Sequence, residues 1–244
     1  MIEFRNVSKS FDKKIVLNDI SFKINKNEIV SILGTSGAGK STLINCINGL
    51  VAPDEGDVIV DGLSVSNKNE INEIRKKCST VFQSFNLYPH LSILQNITLA
   101  PMKVLKYKKD KAEKEALALL EKVDLQSHAN AFPASLSGGE KQRAGICRAL
   151  AMSPDYLLLD EITSSLDPEL TAEIMRVLNA LADEGITMIL VTHEIGLAKK
   201  ISSRIVFLES GRILADKPKD VFFSDAFGEE NARIKDFLAR SEGL

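Results

Sequence analysis

The chain has 244 residues, of which 44% are hydrophobic and 26% charged, and its formal net charge is −2. That length suits one α/β domain or two small ones, and that composition excludes wholesale disorder. The near-neutral balance speaks against bulk nucleic acid as the main partner, so no nucleic acid is expected.

Met1 to Asn6 carries no charged-then-apolar signal pattern. From Met1 to about Val60, runs rich in Ile, Val and Phe alternate with polar turns such as Asn25-Lys26-Asn27, which predicts strands. Ile29 to Leu33 is an apolar strand, and Gly34-Thr35-Ser36-Gly37-Ala38-Gly39-Lys40-Ser41-Thr42 leads from it into a helix, Thr42 to Ile47. A turn at Pro53 to Asp57 precedes strands at Val58 to Val60 and Thr80 to Phe82, the second ending at Gln83. Between about Ser92 and Met152 the texture becomes helical, with predicted helices at Glu113 to Val123 and Glu140 to Met152. The basic run from Lys106 to Lys111 reads as a solvated helix flank. Strand and helix then alternate again: a strand from Tyr156 to Leu159, a helix from Pro168 to Ala182, a strand from Thr187 to Thr192 and a helix near Leu197. A hairpin, Ile205 to Leu208 with Arg212 to Ala215, and an amphipathic helix from Asn231 to Arg240 complete the series. This alternation implies a largely parallel sheet covered on both faces, with the helical insert at one end.

No apolar run is long enough to cross a bilayer, so the chain is expected to be soluble by itself. Cys46, Cys78 and Cys147 are scattered without a C-x-x-C pair and are expected to be buried free thiols in a reducing cytosol.

Residues 34 to 42 fit the pattern G-x-x-x-x-G-K-S/T in the strand-to-helix setting that gives it meaning. Glycines let successive N–H groups turn inward, and the helix start adds its positive dipole end, so the loop can cradle nucleotide phosphates. Lys40 adds a charge near the β- and γ-phosphates, and the Ser41 hydroxyl can coordinate Mg²⁺. Asp160 and Glu161 end an apolar strand. Neighbouring strand residues point to opposite faces, so the two acids can divide the work. Asp160 can hold Mg²⁺ through its water shell, and Glu161 can deprotonate a water that attacks the γ-phosphate. Ser137-Gly138-Gly139-Glu140 reads as a capping box that opens a helix, and its exposed N–H groups also make an anion site.

The phosphate loop, Gln83, Leu136-Ser137-Gly138-Gly139-Glu140, Asp160-Glu161, Ser165-Leu166-Asp167 and the strand ending in His193 stand in a particular order and spacing. In both respects the chain resembles the ATPase subunits of ATP-binding-cassette (ABC) transporters, over essentially its whole length. The resemblance implies a P-loop NTPase fold with a mostly parallel central sheet, an N-terminal antiparallel β subdomain and a helical insert. It divides residues 1–244 into an ATP-binding core (1–83 and 153–244) and a helical signature subdomain (84–152). It further implies that Phe11, with Val16 nearby, stacks on adenine; that Gln83 touches Mg²⁺ or the attacking water; that Asp167 communicates across a dimer interface; and that His193 contacts the γ-phosphate. Ser137 to Glu140 would face ATP held by a second cassette, so two copies pair head to tail with ATP between them.

Pro89 to Pro101, Asp167 to Leu170 and Gly185 to Met188 are most similar to the polar amino-acid importer branch. That implies permease subunits in the membrane, an indirect link to a solute-binding protein, and a peripheral place on the cytoplasmic face of the inner membrane. The permease would be driven through Gln83 and Ser84 to His90. Two positions depart from the family pattern: Ile162 replaces a usual proline and is expected to loosen its loop, and Glu140 replaces the commoner glutamine. Lipoprotein release, cell division or soluble DNA maintenance are the alternatives. The last is disfavoured because no heptads separate the phosphate loop from the signature.

Overall fold

The computed structural model describes residues 1–164, 166–224 and 232–241. Two sheets organise them. The first is antiparallel and joins β1 (Ile2–Phe11), β2 (Lys14–Ile24), β4 (Glu55–Val60) and β5 (Leu63–Ser64) in the order β2-β1-β4-β5. One face is apolar: Ile2, Phe4 and Val7 on β1 and Leu17, Ile20, Phe22 and Ile24 on β2 are buried, and the rings of Phe4 and Phe22 stack at 4.7 Å.

The second sheet contains β3 (Ile29–Gly34), β6 (Cys78–Phe82), β7 (Tyr156–Asp160), β8 (Thr187–Val191), β9 (Arg204–Glu209) and β10 (Arg212–Pro218), in the order β10-β9-β3-β8-β7-β6. All pairings are parallel except the β9–β10 hairpin. The period-two alternation of the inner strands divides the core between the two faces of the sheet. Tyr156, Leu158, Ile189 and Val191 face α1 (Lys40–Ile47) and the antiparallel sheet. Leu157, Leu159, Met188 and Leu190 face α5 (Gly138–Leu150), α6 (Pro168–Asp183) and α7 (Ile195–Ile201). Burial of each such leucine or isoleucine contributes about 1.5–3 kcal/mol, which explains why these strands are apolar throughout.

The helical part is denser than the sequence suggests. Besides α4 (Lys109–Lys122) and α5 it contains α3 (Ile93–Lys103), and α2 (Ile71–Lys77) precedes β6. A capping box starts α3: Ser92 Oγ accepts from the Gln95 N–H at 3.2 Å, and Gln95 Oε1 accepts from the Ser92 N–H at 2.9 Å. A third core, including Ile93, Ile97, Leu120, Leu125, Leu136 and Cys147, joins these helices. A fourth packs Phe207 and Phe222 with α9 (Ala232–Ser241), whose Phe237 ring meets Phe207 edge-on at 5.0 Å. The first residue expected in that helix, Asn231, lies outside the described residues.

All three cysteines are buried and free, and burial pushes each thiol up to about 12. Ile162 is the residue expected to loosen its loop. Its side chain is buried in the second core, and the Ser164 main chain and hydroxyl both donate to the Glu161 carbonyl. No helix among the described residues is long and apolar enough to cross a membrane.

Candidate functional site

Parallel strands deliver their C-terminal ends to one edge of a sheet, and the strand order decides what meets there. Along β3-β8-β7-β6 the ends carry, in turn, the loop from Gly34, His193, the Asp160-Glu161 pair and Gln83. Residues more than a hundred positions apart thus share one cleft of about 380 Å³, lined by Ser36, Gly37, Gly39 to Thr42, Gln83, Asp160 and Glu161, with Lys14 and Val16 of β2 as its outer wall.

The loop is possible only with glycine at its tightest points. Gly34 has φ +151°, and a Cβ there would lie 2.0 Å from the Leu208 carbonyl oxygen. Gly39, at φ +104°, would meet the Val16 carbonyl at 2.6 Å. Lys40 is buried, and its Nζ donates to the carbonyls of Gly34 (2.9 Å) and Thr35 (3.0 Å). Burial lowers its pKa, while the Glu161 and Asp160 carboxylates oppose the shift. Ser41 Oγ donates to Asp160 Oδ1 at 2.9 Å. Burial raises the Asp160 pKa and Glu161 adds to the effect; the Ser41 hydrogen bond and Lys40 oppose it. Glu161 follows with φ +49°, a left-handed conformation uncommon for a residue with a Cβ. Its main-chain N–H is tied to the Val191 carbonyl at 2.9 Å, and its Oε1 lies 3.8 Å from Nδ1 of the half-exposed His193.

A second constellation lies outside this cleft. Ser137 caps α5: its Oγ accepts from the Glu140 N–H at 3.3 Å, and Glu140 Oε2 accepts from the Ser137 N–H at 2.7 Å, as the sequence predicts. Those contacts with Ser137, main chain before side chain, lower the Glu140 pKa. Asp167 caps α6 by accepting from the Leu170 N–H at 2.9 Å. The two helix starts are packed together, since a Cβ on Gly139 would come within 2.6 Å of Leu170 Cδ2, and one turn on Arg143 pairs with Glu173.

The sequence matches the ABC transporter family over residues 17–164. The chain belongs to that family. It is 49% identical to the glutamate/aspartate import ATP-binding protein GltL of Escherichia coli over 98% of this chain and 99% of that protein. It is also 49% identical to the glutamine transport ATP-binding protein GlnQ of Geobacillus stearothermophilus over 98% of both. Among solved structures, the ATP-binding cassette MJ0796, a dimer in a post-hydrolysis state bound to ADP and Pi, superposes with a TM-score of 0.80 at 36% identity. That match covers 90% of this chain and 99% of MJ0796.

Of the residues expected to act in this ABC cassette, the fold gathers Val16, Ser36, Gly37, Gly39 to Thr42, Gln83, Asp160 and Glu161 around one cleft, with His193 beside Glu161. Gly34, Thr35 and Ala38 form the base of its loop. Phe11 stands exposed at the end of β1, opposite Lys14 in the hairpin, with Lys9 Nζ 5.2 Å from its ring centroid. Ser137 to Glu140 and Asp167 are not among the cleft's lining residues, and Ser165 lies outside the described residues. Sequence reasoning missed two residues. Lys14 lines the cleft, and the only signal for it was its proximity to Phe11. Arg148 donates from α5 to the carbonyls of Asn86 and, at 3.2 Å, Phe85, which ties the loop after Gln83 to the capped helix. No local pattern announces that contact.

Proposed function

We propose that this cassette is the ATP-hydrolysing subunit of an importer of polar amino acids of the glutamate and glutamine class. The observation that carries the reading is the single sheet edge that assembles the phosphate loop, Asp160-Glu161, His193 and Gln83, in a chain close in sequence to ATP-binding subunits of such importers.

The loop amides and the Lys40 ammonium hold the β- and γ-phosphates, and Phe11 with Val16 receives adenine. The Ser41 hydroxyl and the Asp160 carboxylate, already 2.9 Å apart, fit a small oxygen-seeking cation, with Gln83 nearby. Mg²⁺ bound there supplies charge neutralisation for the transferring phosphoryl group. Glu161 takes the proton of the attacking water, and His193 contacts the γ-phosphate. Ser137 to Glu140 and Asp167, outside the chain's own cleft, face the nucleotide of a second cassette, so each of two sites is completed in trans. Residues 1–83 and 153–244 form the nucleotide-binding core, and 84–152 the helical subdomain.

Coupling runs through Gln83 and residues 84–90, of which Asn86 and Tyr88 line a groove of about 480 Å³ together with Phe82, Leu99 and Arg148 among others. A permease segment seated there would place the cassette on the cytoplasmic membrane face, with a solute-binding protein acting through the permease. The test is affinity capture from detergent-solubilised membranes, followed by ATPase assays of the complex in proteoliposomes. Glutamate- or glutamine-loaded binding protein is expected to stimulate turnover severalfold. Capture without any integral membrane protein would contradict the proposal.

A further inference from the structure

Glu140 closes the capping box of α5 with a charge that the box does not require. A glutamine makes the same hydrogen bond without it. In a first helical turn, where N–H groups and the dipole favour an incoming anion, a fixed carboxylate works against that anion. What lies opposite Glu140 is therefore of consequence. Its Oε2 is engaged by the Ser137 N–H, and its Oε1 lies 3.5 Å from His128 Nε2. The histidine is itself held. Its N–H donates to the Leu125 carbonyl (3.0 Å), its carbonyl accepts from the Ala131 N–H (2.9 Å), and Nδ1 lies 3.2 Å from Ser127 Oγ. Leu125 and Ala129, on either side of this turn, are anchored in the third core. Ring and carboxylate thus face each other from two fixed supports.

The other charged groups here include Lys141, Arg143 and Arg148 on α5, Asp167, Glu169, Glu173, Arg176 and Asp183 at or on α6, and Glu121, Lys122 and Asp124 around the end of α4. Arg143 is committed to Glu173, and Lys122 to Glu184. His128 is the histidine in this set, and histidine is the side chain whose ordinary titration falls between about pH 5 and 8.

We propose that His128 is a positioning residue: it holds the Glu140 carboxylate against the start of α5 and, when protonated, cancels its charge, so that the Ser137–Glu140 element accepts a phosphate anion better below neutral pH than above it. This rests on the reading of that element as facing a second cassette's nucleotide. The ion pair is half-exposed, so the effect is modest, about threefold in affinity.

The test uses the full chain in a Glu161→Gln background, which blocks hydrolysis and removes the carboxylate facing His193. The dissociation constant of the ATP-induced dimer is measured by sedimentation at about pH 6 and about pH 8. The parent is expected to tighten on acidification about threefold more than its His128→Gln derivative. Adding Glu140→Gln should abolish that difference, and His128→Lys, a lasting cation, should restore tight pairing at both pH values. An equal pH response with and without His128 overturns the proposal and leaves the reading of the site intact. Failure of every variant, the parent included, to pair with ATP overturns the reading itself and the proposal with it.

Discussion

Glu161 and Lys40 test the chemistry most sharply because their substitutions remove different parts of it. Glu161→Gln keeps the size and hydrogen-bonding capacity of the side chain but not its basicity. It is expected to bind ATP normally and to hydrolyse it about 10²–10⁴-fold more slowly; steady-state turnover and filter binding measure the two. Wild-type turnover would remove Glu161 from the base role. Lys40→Ala empties the position between the Gly34 and Thr35 carbonyls and should lose binding and turnover together. Asp160 separates function from stability. Burial raises its pKa, so its charged form costs the nucleotide-free fold stability: the contribution is favourable at low pH and is lost as pH rises through the folded-state value. Asp160→Asn removes that cost. Its nucleotide-free Tm at neutral pH is expected above wild type, while Mg²⁺-dependent turnover collapses; a lowered Tm would contradict this account of the carboxylate.

At the scale of elements, the helix caps hold the starts of α5 and α6 and, in the proposed assembly, face a second cassette. Asp167 meets the α6 N–H groups through the Leu170 amide, with Pro168 at the first helical position. Asp167→Ala should lower the unfolding free energy by about 1 kcal/mol, read from urea denaturation, and an unchanged midpoint would assign the side chain to the interface alone. The inner strands of the parallel sheet were legible because both their faces are buried and their runs are largely apolar, as in Tyr156 to Leu159. Two helices were not. The capping box of α3, Ser92 with Gln95, stood in the sequence but was read only as part of a resemblance, and α2 is a short seven-residue helix with Ile74 as its one buried residue. Much of the cleft's lining was legible too, since the phosphate loop, the Asp160-Glu161 pair and Gln83 each follow or end a strand that the sequence showed. Lys14 and Arg148 were not, because their roles exist only after β2 folds over the phosphate loop and α5 packs on the turn at Phe85 and Asn86.

At the scale of the molecule, the constellations lie on separate parts of one chain. The cleft holds the phosphate loop, the paired acids and Gln83, and the capped starts of α5 and α6 lie beyond its lining. In the proposed assembly, ATP closes the gap by drawing one cassette's helix starts onto the other's nucleotide, and hydrolysis releases them. In that assembly Arg148 makes the closure mechanical: α5, proposed to meet the partner's phosphate, donates through Arg148 to the Phe85 and Asn86 carbonyls beside the groove proposed for the permease. The most direct measurement is the mass of the Glu161→Gln chain by sedimentation, with and without ATP. The account predicts one chain without nucleotide and twice that mass with it, reverting to one chain when Ser137 is replaced by a bulky arginine. A mass that stays at one chain with saturating ATP, at high concentration and with permease present or absent, would contradict it.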